Sequence, residues 1–273
     1  MSKAATMQSW SGKVAIVTGA SEGLGLSLAR AWAQRGASVV LAARRAEPLK
    51  AAAESLSACG APVLTVPTDV TRQADVERLV SASLERFGRI DALVNNAGRS
   101  GRRAIEVTTP DDFQAMWELN FLSVVRCTRA CLPQLLEHHG SVVNIGSLAG
   151  KIAARWIGAY PASKFAVSAY SQQLRLELGP RGLHVLLVSP GPIARAQPRE
   201  RETDELDGLP ESARRPGAGA KTRAIDPDEL ARRVVQACDE QRAELVIPSK
   251  ARWLAAIGQL WPSLGDWVLR KAT

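Results

Sequence analysis

The stretch YPASK (160–164) places a phenol, Tyr160, four residues from an amine, Lys164, with Ser163 between them. On a helix that step is about one turn, so both side chains share a face. A phenol with its ordinary pKa of about 10 is a poor proton carrier at neutral pH. A neighbouring ammonium favours the phenolate, and a shift of about two to three units would bring the group to where general acid–base catalysis operates. Such a pair would trade a proton with a substrate oxygen. Ser147, 13 residues before Tyr160 in IGSLAG (145–150), offers a hydroxyl that would bond the same oxygen and stabilise charge developing on it. Taken singly, each is ordinary: a loop serine, and a tyrosine and lysine paired on a helix surface.

A second constellation lies near the N-terminus. TGASEGLG (18–25) follows a short β-branched run and precedes LSLARAWAQRG (26–36), which reads as a helix. Gly19, Gly23 and Gly25, with Ser21, Glu22 and Leu24 among them, let the chain turn sharply. Backbone N–H groups can then approach a pyrophosphate at the helix N-terminus. A bare glycine cluster also makes a tight turn with no ligand; its place at the first strand–helix junction points to dinucleotide binding. Where the second strand ends, an acid would grip the ribose 2′-hydroxyl of NAD and an arginine the 2′-phosphate of NADP. The chain has LAARRAE (41–47), with Arg44 and Arg45 and no acid at either position. Planar guanidinium forks suit phosphate, so NADP(H) is expected over NAD(H). Glu22 argues the other way, because its carboxylate would lie near that phosphate.

The elements that must hold these residues are legible as an alternation. Strands are expected at 13–19, 37–43, 61–67, 90–96, 140–146, 183–189 and 243–248, most of them apolar throughout, as in strands covered on both faces. Helices are expected near 23–35, 46–58, 72–87, 111–138, 160–179 and 227–241. This pattern predicts an α/β, Rossmann-like, doubly wound parallel sheet of seven strands in a single domain. The polar, Pro- and Gly-containing stretch 194–225 reads as a long loop on the substrate side, expected to close over substrate. Length allows one large α/β domain or two smaller ones; the helix and strand that follow 194–225 complete one sheet and favour one.

With TGASEGLG, NNAG (95–98), Asn120 in ELNF (118–121), Ser147, YPASK and PG (190–191) standing in order, the chain resembles the short-chain dehydrogenase/reductase family. The match runs over about residues 12–193 and more loosely over 227–248. The resemblance implies an oxidoreductase that interconverts a ketone or aldehyde and an alcohol by hydride transfer, with Asn120, Ser147, Tyr160 and Lys164 as catalytic residues. It further implies that Lys164 holds the nicotinamide ribose and that Asn120 helps organise a proton relay through water. Asp69 and Val70 would flank the adenine; Asn96, Ala97 and Gly98 would border the cofactor; Pro190, Gly191 and Ile193 would lie beside the nicotinamide. The family often has a threonine where Arg195 stands, which leaves the carboxamide contact open. Family enoyl reductases space the tyrosine and lysine more widely. A homodimer or homotetramer is implied, with a small-molecule carbonyl or alcohol as partner. A non-catalytic NADP-binding redox sensor is the alternative from another class, and a missing serine, tyrosine or lysine would favour it.

Composition narrows the rest. Charge is +8, from 35 Lys and Arg against 27 Asp and Glu, but the arginines are scattered, so no nucleic-acid partner is expected. The three histidines, His138, His139 and His184, accompany no cysteine pair at metal-ligand spacing, so no metal is expected. Cys127 and Cys131 stand one turn apart in an apolar stretch and read as buried small hydrophobes; Cys59 and Cys238 complete the set. MSKAATMQSWSGKVAIVTGA has no signal-peptide core, and no run of 18 apolar residues occurs. A cytoplasmic setting is the default.

The C-terminal extension 249–273 is unusual. Trp253, Leu254, Ile257, Leu260, Trp261, Leu264 and Val268 recur at helical steps, Pro262 should interrupt them, and Lys250, Arg252, Arg270 and Lys271 flank the stripe. Three readings stay open: packing on the domain or on a second subunit, peripheral contact with a membrane, or a lipophilic substrate entrance.

Overall fold

The computed structural model describes residues 9–57, 60–194, 209–210, 213 and 223–272. All seven expected strands form: β1 (Val14–Thr18), β2 (Ser38–Ala43), β3 (Val63–Pro67), β4 (Ala92–Asn95), β5 (Ser141–Ile145), β6 (His184–Pro190) and β7 (Glu244–Ile247). They make one parallel sheet in the order β3-β2-β1-β4-β5-β6-β7.

The apolar runs explain why both faces are covered. Successive β1 residues point to opposite sides. Ala15 and Val17 pack with Leu28 and Trp32 of α1 (Gly23–Ala33), Leu49 and Leu56 of α2 (Ala46–Ser57), and Leu230 and Val234 of α7 (Pro227–Asp239). Val14 and Ile16 pack with Val76 and Leu79 of α3 (Gln73–Phe87), with Cys127, Cys131 and Leu135 of α5 (Ser123–Glu137), and with Leu174 of α6 (Tyr160–Leu178). Burial raises the Cys127 thiol pKa to about 12, so this cysteine is core, as expected. Cys131 and Cys238 are also buried, and Cys59 lies outside the described residues.

The strand order reverses between β1 and β4, and ligands of such sheets bind beyond the strand C-termini at that switch point. The Gly-rich turn follows β1, and NNAG continues from β4.

The structure differs from expectation at 111–138. In place of one helix there are α4 (Pro110–Trp117), a π-turn over Glu118–Leu122, and α5. Asn120 lies within that turn, and its amide is held by the Arg99 backbone. The terminal stripe forms two helices, α8 (Ala251–Leu260) and α9 (Pro262–Ala272), with Pro262 opening the second. Among the described residues, no helix is long and apolar enough to cross a membrane. Most of the expected loop 194–225 lies outside the described residues. Its ends meet where Ile193 pairs with Ile225, and Ala194 N–H donates to the Ile225 carbonyl at 2.8 Å.

Candidate active site

The first wall of the crevice is the turn after β1. Thr18 Oγ1 donates to the Val94 carbonyl at 3.2 Å and accepts the N–H groups of Asn96 and Ala97 at 3.0 and 3.1 Å. The Asn96 amide returns the contact, donating to the carbonyls of Thr18 at 2.9 Å and Gly19 at 3.2 Å. Asn96 therefore shapes the cradle with its side chain. Gly19 and Gly23 take φ values of +65° and +54°, the left-handed region in which glycine alone is unstrained. A Cβ on Gly25 would fall 2.0 Å from the Gly19 carbonyl oxygen.

Helix α1 then opens with no side-chain cap from Glu22 and no acid in its first turn. Helix N-termini carry unpaired N–H groups and a positive dipole end. A glycine-lined turn leading into such an uncapped end fits a pyrophosphate, so Gly19, Ser21, Gly23, Leu24 and Gly25 are suited to hold a dinucleotide. Gly25→Ala is expected to cost about 1–3 kcal/mol of stability by forcing backbone apart. Urea unfolding, together with dinucleotide titration of the folded variant, would check it.

Along the same edge, Arg44 and Arg45 sit exposed just past β2. Burial raises the Asp69 carboxyl, but hydrogen bonds from the hydroxyl and N–H of Thr71, with the Arg44 charge, outweigh it and leave the pKa lowered. Asp69 Oδ1 accepts both Thr71 donors, at 2.7 and 3.0 Å, so the carboxylate shapes its own turn. Val70 is buried beside it.

The opposite wall is built by β5 and α6. Beyond Ile145, Ser147 is extended, and its Oγ accepts the Ala149 N–H at 3.1 Å, opening a short 3-10 turn over Leu148–Gly150. That turn lies against α6: a Cβ on Gly150 would come within 2.6 Å of the Lys164 carbonyl oxygen. Ser168 Oγ also donates to the Gly150 carbonyl at 3.1 Å. Tyr160 begins α6, half-buried, and Lys164 follows one turn later at 6% exposure. Lys164 Nζ donates to the Ile145 carbonyl at 2.8 Å and lies 5.9 Å from the centre of the Tyr160 ring. Burial lowers the Lys164 pKa from 10.5 to about 8.

Asn120 joins the two walls. Its side chain clamps the Arg99 backbone, with Oδ1 accepting the N–H and Nδ2 donating to the carbonyl, both at 2.9 Å. Nδ2 also donates to Ser163 Oγ at 3.1 Å, and Ser163 Oγ donates to the Tyr160 carbonyl at 2.7 Å. A Cβ on Gly98 would meet Asn120 Oδ1 at 2.8 Å and Lys164 Nζ at 3.8 Å. Gly98, Asn120 and Lys164 thus converge beside Tyr160. Ser163 and Thr18 brace the candidate site, and the motifs alone do not mark them, since neither shows a partner until distant strands and helices meet. The only signal for Ser163 was its place inside YPASK.

The remaining expected positions lie at the end of β6 and just beyond it. Pro190 ends β6, Gly191 N–H donates to the Ile247 carbonyl at 2.7 Å, and Ile193 is pinned by its pairing with Ile225. Arg195 lies outside the described residues. The segments 99–110 and 148–158 meet beside the site. Arg103 N–H donates to the Trp156 carbonyl at 3.2 Å, and Gly158 N–H donates to the Arg103 carbonyl at 3.1 Å. Arg103 is fixed by both carboxylate oxygens of Asp112, at 2.6 and 2.7 Å. Trp156 takes φ +65° there, a backbone state costing about 1–3 kcal/mol for a bulky residue. Among the described residues, no cluster of three metal-ligating side chains occurs.

A parallel sheet whose switch point carries a Gly-rich turn on one side and a Ser–Tyr–Lys–Asn group on the other defines a dinucleotide-dependent class of fold. The short chain dehydrogenase family model matches residues 13–206, and the chain belongs to that family. Glycine betaine reductase of Emericella nidulans is 38% identical over 231 residues, which is 83% of this chain and 18% of that much longer protein. Among solved structures, L-sorbose reductase of Gluconobacter frateurii, complexed with NADPH and L-sorbose, matches at a TM-score of 0.76 and 29% identity. That match covers 89% of this chain and 97% of the other. A short chain dehydrogenase/reductase of Burkholderia phymatum, in complex with NAD, matches at 0.81 and 26% identity, covering 93% and 95%.

Proposed function

We propose that the chain is an NADP(H)-dependent oxidoreductase that interconverts a ketone or aldehyde and the corresponding alcohol, with Tyr160 as general acid and base. The observation that carries this reading is the convergence of Lys164 Nζ, the Asn120 amide and Gly98 beside Tyr160. A bound nicotinamide would supply or accept hydride at the substrate carbon. In reduction, the Tyr160 hydroxyl gives its proton to the substrate oxygen as the C–O bond becomes single; in oxidation the phenolate takes that proton back. Ser147 donates a hydrogen bond to the same oxygen while negative charge grows on it. The Lys164 ammonium, drawn out of water, favours the phenolate more than an exposed amine would. Asn120 and Ser163 hold the first turn of α6 against the Arg99 loop and fix where the phenol stands.

The experiment is direct. Purified protein is mixed with NADPH and a panel of ketones and aldehydes, and loss of the reduced-nicotinamide absorbance is followed. Turnover with a subset of them is the expected result. Tight NADPH binding without turnover of any would replace this reading with that of a regulatory binding protein.

Cofactor choice has its own test. The solved relatives hold NADPH in one case and NAD in the other, so the decision falls to residues at the ribose edge. Arg44 and Arg45 present two cations there, against the carboxylates of the exposed Glu22 and of Asp69, on which the Arg44 charge acts. Arg44→Ala with Arg45→Ala is expected to raise KM for NADPH by about tenfold or more, from the loss of charge-assisted bonds to phosphate. KM for NADH should hold. Steady-state kinetics with both dinucleotides read this out, and an equal rise for NADH would remove the phosphate assignment.

A further inference from the structure

Helices α8 and α9 are packed on each other through their smallest residues. A Cβ on Gly265 would lie 2.5 Å from Gly258 Cα, and Ala255 and Gly265 are the buried positions of the pair. The large side chains are left outside: Trp253 is 74% exposed, Leu260 69%, Trp261 60%, Leu264 48% and Trp267 52%. Trp253 and Leu260 are two turns apart on one side of α8, away from Ala255 and Gly258. Leu264 and Trp267 share a side of α9. The bend is exposed at every residue from 259 to 264. Three of the seven tryptophans of the chain lie within its last 21 residues. An apolar surface of this kind is the mark of an interaction site.

Charge selects the occupant. Lys250 and Arg252 stand at the start of α8 and Arg270 and Lys271 in the last turn of α9, and Asp266 is the only acid in 249–273. Lys271 Nζ stands 4.0 Å from the Trp267 ring centre, so a cation and an indole occupy one spot. In a two-fold contact with a second copy, the same basic patch would face itself and repel. An anionic surface attracts four cations that only one acid opposes, and tryptophans prefer the boundary between headgroups and acyl chains.

We propose that α8 and α9 form a peripheral docking element for a bilayer containing anionic phospholipid. The bend Leu260–Trp261–Pro262–Ser263–Leu264 and Trp267 enter the headgroup boundary, and the basic side chains lie among lipid phosphates.

The test is co-sedimentation of the full chain with vesicles of phosphatidylcholine alone and of phosphatidylcholine mixed with phosphatidylglycerol. Binding to the mixed vesicles, weakened by added salt, is expected. A Trp261→Glu, Trp267→Glu variant should lose about tenfold or more in vesicle affinity, while its thermal unfolding stays at the wild-type temperature. Recovery of the wild type in the supernatant with both vesicles would overturn the proposal, as would a double variant that binds like wild type. A drop in mass by light scattering on going from wild type to the variant would also overturn it, by giving the face to a second copy.

Discussion

Tyr160→Phe is expected to lower kcat/KM by about 10³-fold while leaving dinucleotide affinity close to wild type. A positioned acid–base group typically contributes about 10²- to 10⁴-fold, and here one hydroxyl both delivers and recovers the proton. The substitution should spare the architecture. Ser163 Oγ bonds the backbone carbonyl of residue 160, and Asn120 reaches that carbonyl through Ser163, so these bonds use main-chain atoms that the substitution keeps. The link from Asn120 through Ser163 to the helix start is therefore retained in the variant. Steady-state kinetics beside a direct dinucleotide titration separate the two effects. A Phe variant that turns over like wild type would show that the proton comes from elsewhere.

Lys164→Met should lose activity by a comparable factor and yet gain stability. The amine is 6% exposed and donates to the backbone carbonyl of Ile145, so its charge is held in poor surroundings. The folded pKa, lowered from 10.5 to about 8 by burial, sets the sign. Below about pH 8 the amine is protonated in both states and the native state bears the whole cost of the buried charge. As pH rises from about 8 to the ordinary lysine value, the native state releases its proton first. The unfolded chain then binds more protons, and wild-type stability climbs across that window. Each unit of pKa shift corresponds to about 1.4 kcal/mol, and the Ile145 carbonyl left without its donor subtracts about 1 kcal/mol. A net gain of about 2 kcal/mol near neutral pH is expected for the methionine variant, shrinking above about pH 8. Urea unfolding of both proteins at neutral and alkaline pH measures it. A methionine variant less stable than wild type near neutrality would mean that the buried ammonium is better solvated than the geometry indicates.

These two residues also show how much was readable beforehand. Their types and four-residue spacing announced the chemistry, because acid–base function depends on local identity and on the pitch of a helix. That Lys164 would itself be weakened by burial could not be read, since depth is set by what α6 lies against. The ELNF motif marks Asn120 but not its clamp on the Arg99 backbone, and the pattern over 111–138 predicts plain helix where the π-turn stands. Such a turn leaves no mark in apolar periodicity; it forms where a tertiary contact displaces a helical hydrogen bond. Asn96 was placed beside the cofactor, and its amide proves to hold the turn that shapes the cradle. Arg195 and most of 194–225 fall outside the described residues.

What the chain alone determined was the alternation of seven apolar strands with amphipathic helices, the glycines of the first turn, and the ordered set of reactive side chains. All of these follow from period, propensity and residue type, which are local properties. The tertiary structure decided which helices cover which face and how Thr18 ties the ends of β1 and β4 together. It also decided that Ser163 links Asn120 to the start of α6, and that the terminal stripe splits at Pro262 into two helices joined through Gly258 and Gly265. Those contacts join residues far apart in the chain, and their energies come from burial and hydrogen-bond satisfaction that exist only once the sheet has brought them within reach.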